Sequence, residues 1–197
     1  MGGNPMDESQ ARGEVAALEQ CLGGNTAAFE VLVHLYEKKI YNFCYHLTGS
    51  HEDAQDLAQE VFVKAFYNLS RFRRESSFYT WLHKIAYNTW VSWQRKRRNA
   101  ATVPLERQGE DGSYLLDLPD PKADPVDQAQ AGELREFLNR ALAGLNNEYR
   151  TVLVLREMEG FSYEEIAATT STSVGTVKSR LNRARQILRE RMREFTR

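Results

Sequence analysis

The 197-residue sequence has few of the residues that define disulfide-rich, metal-binding or membrane proteins. It contains two cysteines, Cys21 and Cys44, and their separation fits neither a metal-ligand spacing nor a disulfide framework. No apolar run approaches the roughly 20 residues that span a bilayer, and the N-terminus has no signal-peptide core. We therefore expect a cytoplasmic protein with no metal, no cofactor and no direct membrane insertion.

Two further absences argue against a sheet and against an enzyme. No segment alternates apolar and polar residues over a useful length, so the sequence predicts no strands. Carboxylates do not cluster at metal-ligand spacing beside a basic groove, and the four histidines are dispersed: His34, His46, His51 and His83. An enzyme that acts on DNA is therefore disfavoured, and we expect a protein that is not an enzyme.

Charge is nearly balanced over the whole chain, at −1, but it is uneven along it. Residues 71–98 hold eight Lys and Arg against one acid, and residues 178–197 hold eight against two. Residues 106–136 hold nine acids against three bases, and four of the five prolines lie between positions 104 and 125. This pattern predicts two nucleic-acid contacts joined by a solvated linker.

The last quarter of the chain predicts two short helices joined by a tight turn. Ser162 and Glu165 have the spacing of a capping box, and Ser173 is placed to cap a second, basic helix. An apolar stripe from Val177 to Leu188 faces inward at helical spacing. The opposite face and its flanks present Thr176, Lys178, Ser179, Arg180, Asn182 and Arg183. Arg and Asn read base edges in the major groove and flanking cations meet phosphates, so we predict a helix-turn-helix. The alternative is an amphipathic helix with a solvated basic face.

Three long amphipathic helices are predicted upstream, over about residues 25–48, 50–69 and 78–98, and they would form a compact bundle. The inward stripe of the second helix runs from Ala54 to Leu69 and includes Phe66. Its outer face is acidic and rich in amides, which fits either a solvated surface or a docking surface for a basic protein.

The third helix carries a second face, opposite its core stripe, formed by His83, Tyr87, Trp90 and Gln94. Aromatic rings interleaved with cations suit single-stranded DNA, because rings stack on bases while cations follow phosphates. The alternative is that this face packs under another helix or under the linker.

Helical periodicity returns at Glu133, with further helices predicted over about 133–145 and 147–159 and Gly160 as a C-cap. The fold class is therefore all-α: two small helical domains joined by a flexible linker, the C-terminal one ending in a helix-turn-helix. We place an N-terminal segment at 1–24, the first domain at 25–98, an acidic linker at 99–132 and the second domain at 133–197.

Four segments occur in an order that closely resembles the extracytoplasmic-function (ECF) sigma factors of the sigma-70 family: Asp53–Phe62, Phe78–Asn88, Glu148–Ala167 and Gly175–Arg180. The resemblance implies an alternative sigma factor, in which residues 25–98 are region 2 and residues 133–197 are region 4. Such a protein binds core RNA polymerase, directs it to promoters and assists DNA melting. A one-component helix-turn-helix regulator remains the alternative.

The resemblance also implies roles for particular residues. Docking on the polymerase β′ clamp helices falls to Asp53, Asp56, Gln59 and Glu60. Binding and melting of the promoter −10 element falls to Arg71, Phe72, Arg73, Arg74, Ser76, Ser77, Lys84, Asn88 and Arg95. Reading of the −35 element falls to the six outward residues of the basic helix named above. Implied partners are the β flap, promoter DNA and an anti-sigma factor, which would hold the protein at the membrane in some members, while the linker would run toward the RNA exit path.

Overall fold

The computed structural model describes residues 8–100 and 137–195, and all regular structure in these ranges is helical. The first range contains α1 (Glu8–Leu22), α2 (Phe29–Thr48), α3 (His51–Asn68) and α4 (Phe78–Ala100). The second contains α5 (residues 137–143), α6 (Asn147–Glu157), α7 (Tyr163–Thr170) and α8 (Val174–Phe195). The all-α prediction is confirmed. Nearly all of the predicted linker, and with it the predicted path to the RNA exit, lies outside the described residues.

The ends of the first-domain helices are set by local sequence. Gly49 ends α2 in a left-handed conformation, with φ of 71°, which glycine adopts without steric cost. Ser50 then caps α3, because its hydroxyl accepts a hydrogen bond from the backbone N–H of Asp53 at 3.3 Å. The end of α2 and the start of α3 follow the sequence prediction within a residue or two, whereas α2 begins at Phe29, four residues later than predicted. Helix α1 was not predicted, and it buries only Ala17 and Leu18.

The first bundle packs α2 along α3, with α4 against both. Most of the predicted inward stripes are buried, but the prediction for Phe66 is wrong, since this side chain is 39% exposed. One edge of its ring contacts Phe29, at a centroid distance of 5.2 Å. The ring also lines an open cavity of about 260 Å³ between the C-terminal ends of α1 and α3, so neighbouring residues cover only part of it.

Arg150 organises the second domain from inside its core. Its guanidinium donates hydrogen bonds to the backbone carbonyls of Leu142 at 2.9 Å, Ala143 at 2.5 Å and Leu145 at 3.2 Å, which satisfies the C-terminal end of α5. A fourth bond, 2.7 Å long, reaches the carbonyl of Leu47 near the end of α2. Burial lowers the pKa of Arg150 from its usual value, and carbonyl dipoles rather than carboxylates compensate its charge.

The two domains are in direct contact. Helix α4 packs against α7 and α2 packs against α6, so buried residues of both domains form one continuous apolar core. Polar bonds cross the same boundary, from Thr80 to Glu165 at 3.1 Å and from Asn147 to Gln94 at 2.7 Å. The helices that carry the candidate DNA contacts are therefore held in a fixed relation to each other.

Candidate nucleic-acid interface

Reciprocal caps start α7, and a left-handed residue followed by a serine cap forms the turn into α8. The Ser162 hydroxyl accepts from the Glu165 N–H at 3.1 Å, while the Glu165 carboxylate accepts from the Ser162 N–H at 2.9 Å. This confirms the predicted capping box. Ser171 then adopts a left-handed conformation, with φ of 54°, and the Ser173 hydroxyl accepts from the Thr176 N–H at 3.0 Å. Helix α8 therefore starts at a fixed angle to α7.

Helix α8 turns its apolar stripe inward and its polar face outward. Val177, Leu181 and Ala184 are buried, as the periodicity predicts. The opposite face exposes four of the predicted contacts, Lys178, Ser179, Asn182 and Arg183, whereas Thr176 and Arg180 are half-buried. A row of hydroxyl, amide and guanidinium groups on one helix face is what direct reading of major-groove edges requires.

Ion pairs fix the cations that flank this face. Arg180 pairs with Glu148 of α6 at 2.6 Å, and Arg185 pairs with Glu157 at 2.6 Å. The hydrogen bonds that Arg185 donates to the Glu157 carboxylate are the main reason that the pKa of Arg185 is raised. Arg183 instead donates to Gln186 on the same exposed face, at 3.0 Å. Arg183 is thus oriented by a neutral amide. A DNA phosphate or base could bind it without displacing a carboxylate.

The loop between α3 and α4 is anchored at both ends and exposed between them. Phe72 is buried against Phe78 and Trp81, with ring centroids 5.7 and 5.2 Å apart. At the other end the Ser77 hydroxyl accepts from the Thr80 N–H at 3.0 Å and so caps α4. The remaining predicted contacts of the loop are exposed: Arg71, Arg73, Arg74 and Ser76. Phe72 therefore anchors this loop from within and does not present its ring to solvent.

Helix α4 adds an exposed row that continues from this loop. Lys84, Asn88 and Arg95 are all exposed and lie at spacings of four and seven residues, which places them on one side of the helix. The row combines two cations with an amide that can both donate and accept hydrogen bonds. It can follow a phosphate backbone while recognising a base edge.

The aromatic face of α4 is not an exposed stacking platform. His83 and Trp90 are buried, and Tyr87 and Gln94 are half-buried. The His83 ring contacts Phe161 of the second domain, with centroids 5.2 Å apart. For His83 the alternative interpretation, packing under another element, is therefore correct, because the second domain supplies an apolar surface for this face.

On the acidic face of α3, some of the predicted docking residues are exposed and others form ion pairs. Asp56 and Gln59 are exposed. Asp53 pairs with Arg97 of α4 at 2.7 Å, and Glu60 pairs with Lys64 at 2.7 Å. The structure also shows exposed apolar residues farther along α3, at Val63, Phe66 and Tyr67. The sequence analysis did not identify this apolar extension, although the spacing of Val63 from Gln59 was a signal for it.

Within residues 8–100 and 137–195, no three His, Cys, Asp or Glu side chains come together in a way that would hold a metal ion. The same ranges contain no helix long and apolar enough to cross a membrane.

Comparison with known proteins agrees with this geometry. Sigma-70 region 2 matches residues 32–100, and Sigma-70, region 4 matches residues 136–188. The ECF RNA polymerase sigma factor SigW of Bacillus subtilis is 34% identical over 180 residues, covering 90% of this chain and 96% of that protein. The chain belongs to the ECF sigma factors of the sigma-70 family. The ECF RNA polymerase sigma-E factor of Escherichia coli is likewise 34% identical, over 91% of this chain and 94% of its own.

A solved structure shares the fold of this sigma factor. The sigma factor RpoE of Bartonella quintana, in complex with the anti-sigma factor NepR, superimposes with a TM-score of 0.65 at 28% identity, over 84% of this chain and 96% of that one. The sigma factor described here is a transcription initiation factor and not an enzyme. It binds core RNA polymerase and promoter DNA through its region 2 and region 4 domains, and directs promoter-specific initiation.

Proposed function

We propose that three exposed surfaces divide the work of initiation in this sigma factor. The α3 face docks on the β′ clamp helices, the α3–α4 loop with the α4 row takes the −10 element, and α8 reads the −35 element. The observation that carries this proposal is the exposure pattern: 14 of the 19 assigned residues lie at least partly exposed on these three surfaces without forming a core contact or an ion pair. Of the other five, Phe72 is buried, while Asp53, Glu60, Arg74 and Arg180 form ion pairs.

The domain limits proposed from the sequence fit this division. Residues 25–98 hold the docking and −10 surfaces, and residues 133–197 hold the −35 surface and would contact the β flap. We further propose a cytoplasmic location and an anti-sigma factor as a regulatory partner. The Bartonella quintana relative, solved with NepR, supports that partner.

The decisive experiment is reconstitution of transcription. Core polymerase plus this protein, with no other sigma factor, is expected to give run-off transcripts from a cognate promoter. A protein that bound promoter DNA but supported transcription only together with a housekeeping sigma factor would be a helix-turn-helix regulator instead.

For −35 reading, Arg183→Ala is expected to lower specific promoter affinity by about 1–3 kcal/mol, the range for one base contact. The domain should stay folded, because Arg183 points away from the buried stripe of α8. Affinity and a footprint over the −35 element are the measurements. Arg189→Ala, an exposed arginine on the same helix, controls for loss of charge, and an unchanged footprint would remove Arg183 from the reading set.

For docking, the double reversal Asp56→Lys with Glu60→Lys is expected to weaken binding of core polymerase by at least tenfold. The introduced lysines would face a basic surface, and like charges placed together across an interface cost several kcal/mol. The matched control is a double reversal of Glu30 and Glu37, two exposed acids on α2. Promoter −35 binding by α8 should be unaffected, and full polymerase affinity in the α3 variant would mean that this face is merely solvated.

A further inference from the structure

A buried polar cluster joins the two domains of the free protein. Glu159, between α6 and α7, accepts a hydrogen bond from the His83 Nε2 atom at 3.1 Å and another from the Tyr79 hydroxyl. The side chains of His83 and Glu159 are 0% and 7% exposed. One carboxylate of the −35 domain is thus held by two side chains of α4, the helix that carries the −10 row.

Both ring nitrogens of His83 are engaged in this cluster. The Nδ1 atom lies 2.9 Å from the Tyr79 carbonyl, which can only accept, and Nε2 lies 3.1 Å from the Glu159 carboxylate. Burial opposes ionisation of Glu159, but the hydrogen bond and charge of His83, with the Tyr79 hydroxyl, outweigh it and lower the pKa of Glu159.

Other side chains complete the contact around this ion pair. The Phe161 ring lies against Tyr79 and His83, at centroid distances of 5.5 and 5.2 Å. The titratable groups of α2 that influence or approach the cluster are Tyr36, Lys39, Cys44 and His46. The bond from Thr80 to Glu165 extends the same seam toward the start of α7. Apolar contact, an ion pair and hydrogen bonds therefore all hold α4 against the second domain.

This closed arrangement does not match the geometry of a promoter. The −35 and −10 elements are about 25 base pairs apart, or about 85 Å along the duplex at 3.4 Å per step. A compact chain of this length has a radius of gyration of only about 16 Å. With α4 fixed to α7, the α4 row and the α8 face cannot reach both elements at once, so the domains must separate before both are read.

We propose that Tyr79, His83 and Glu159 form a latch that keeps the free sigma factor closed, and that core polymerase binds the form in which this latch is open. The proposal rests on the assignment of −10 and −35 reading to α4 and α8. When only a fraction of the protein is open, the apparent dissociation constant for polymerase rises by the inverse of that fraction. Weakening the latch therefore tightens binding of polymerase without any new contact to it.

The test uses Glu159→Gln and Tyr79→Phe in the full-length protein. Each keeps the shape of the side chain while removing the charge or the hydroxyl. The control is Glu157→Gln, which removes an exposed acid that pairs with Arg185 inside the second domain. Apparent affinity for core polymerase without DNA is measured together with small-angle scattering of the free proteins, and circular dichroism checks that each variant remains helical.

Glu159→Gln is expected to lower the apparent dissociation constant by about tenfold or more, as loss of a charged hydrogen bond predicts, and to enlarge the free protein in solution. Tyr79→Phe should act in the same direction by a smaller factor, and it provides the measurement if Glu159→Gln is misfolded. The control should match the wild type. Unchanged affinity and scattering in folded variants, or weaker polymerase binding, would overturn the latch.

The docking assignment and the latch are tested independently, so either can be wrong while the other holds. If the double reversal of Asp56 and Glu60 binds polymerase normally, the α3 face is not the docking surface, yet the scattering result for Glu159→Gln still decides whether the latch holds the domains together.

Discussion

Arg150→Ala is expected to lower the free energy of unfolding by at least about 3 kcal/mol, because four buried or half-buried carbonyl groups lose a charged donor. Hydrogen bonds to charged groups contribute about 1.5–3 kcal/mol each, and an unsatisfied buried acceptor adds its own desolvation cost. The loss should fall on both domains, since one of the four carbonyls belongs to Leu47 of α2. Chemical denaturation followed by circular dichroism measures the effect.

Two further variants isolate the cause of that loss. Arg140→Ala removes an exposed arginine of α5 and should change stability by less than about 0.5 kcal/mol. Arg150→Lys keeps the charge but loses the planar fork of donors, so it should fall between the two. A stability change under about 1 kcal/mol for Arg150→Ala would show that water satisfies these carbonyls instead.

Asn88→Ala is expected to impair promoter opening while sparing closed-complex formation. A side-chain site can enclose a base only after that base leaves the stack, and extrusion costs on the order of a few kcal/mol that the site must offset. Losing one such contact should reduce open complexes roughly tenfold or more. The closed complex depends on −35 reading and phosphate contacts, which this substitution leaves in place. Permanganate reactivity of promoter thymines, with holoenzyme, reports the opening.

Ser92→Ala serves as the matched control for this variant. Ser92 is exposed one turn farther along α4, and its hydroxyl donates to the carbonyl of Asn88. Bulky replacements at Ser76 and Ser77 should reproduce the opening defect, because they occupy the exposed middle and end of the loop. Normal permanganate reactivity in the Asn88 and loop variants would remove both from the −10 site.

Local sequence predicted the parts of this fold that local forces determine. The capping box of Ser162 and Glu165, the turn at Gly49 and the inward stripe of α8 each depend on residues a few positions apart. The outward face of α8 follows directly from that stripe, because a helix has a fixed period. The candidate −35 residues could therefore be identified from the sequence alone.

Such local patterns could not predict the contacts between elements that are far apart in the chain. The face of α4 that contains His83 combines aromatic and polar side chains, and the same combination suits an exposed DNA contact or a buried domain boundary. The positions of Glu159 and Phe161, which come far later in the chain, decide between them. Phe66 shows the opposite case, in which the helical period is apolar but neighbouring elements cover only part of the residue.

The C-terminal half of α8 also stabilises the second domain, a role that is separate from DNA recognition. Arg191 donates to the carbonyls of Ala141 at 2.6 Å and Gly144 at 2.9 Å, and a Cβ atom at position 144 would lie only 2.1 Å from its Nη1 atom. The same 22-residue helix therefore presents the predicted base-reading side chains and also holds the second domain together. In a saturation mutagenesis map of promoter selectivity, a side chain at position 144 should displace the flexible guanidinium of Arg191 and cost at most its two hydrogen bonds, although position 144 follows α5 and is not among the base-reading side chains of α8.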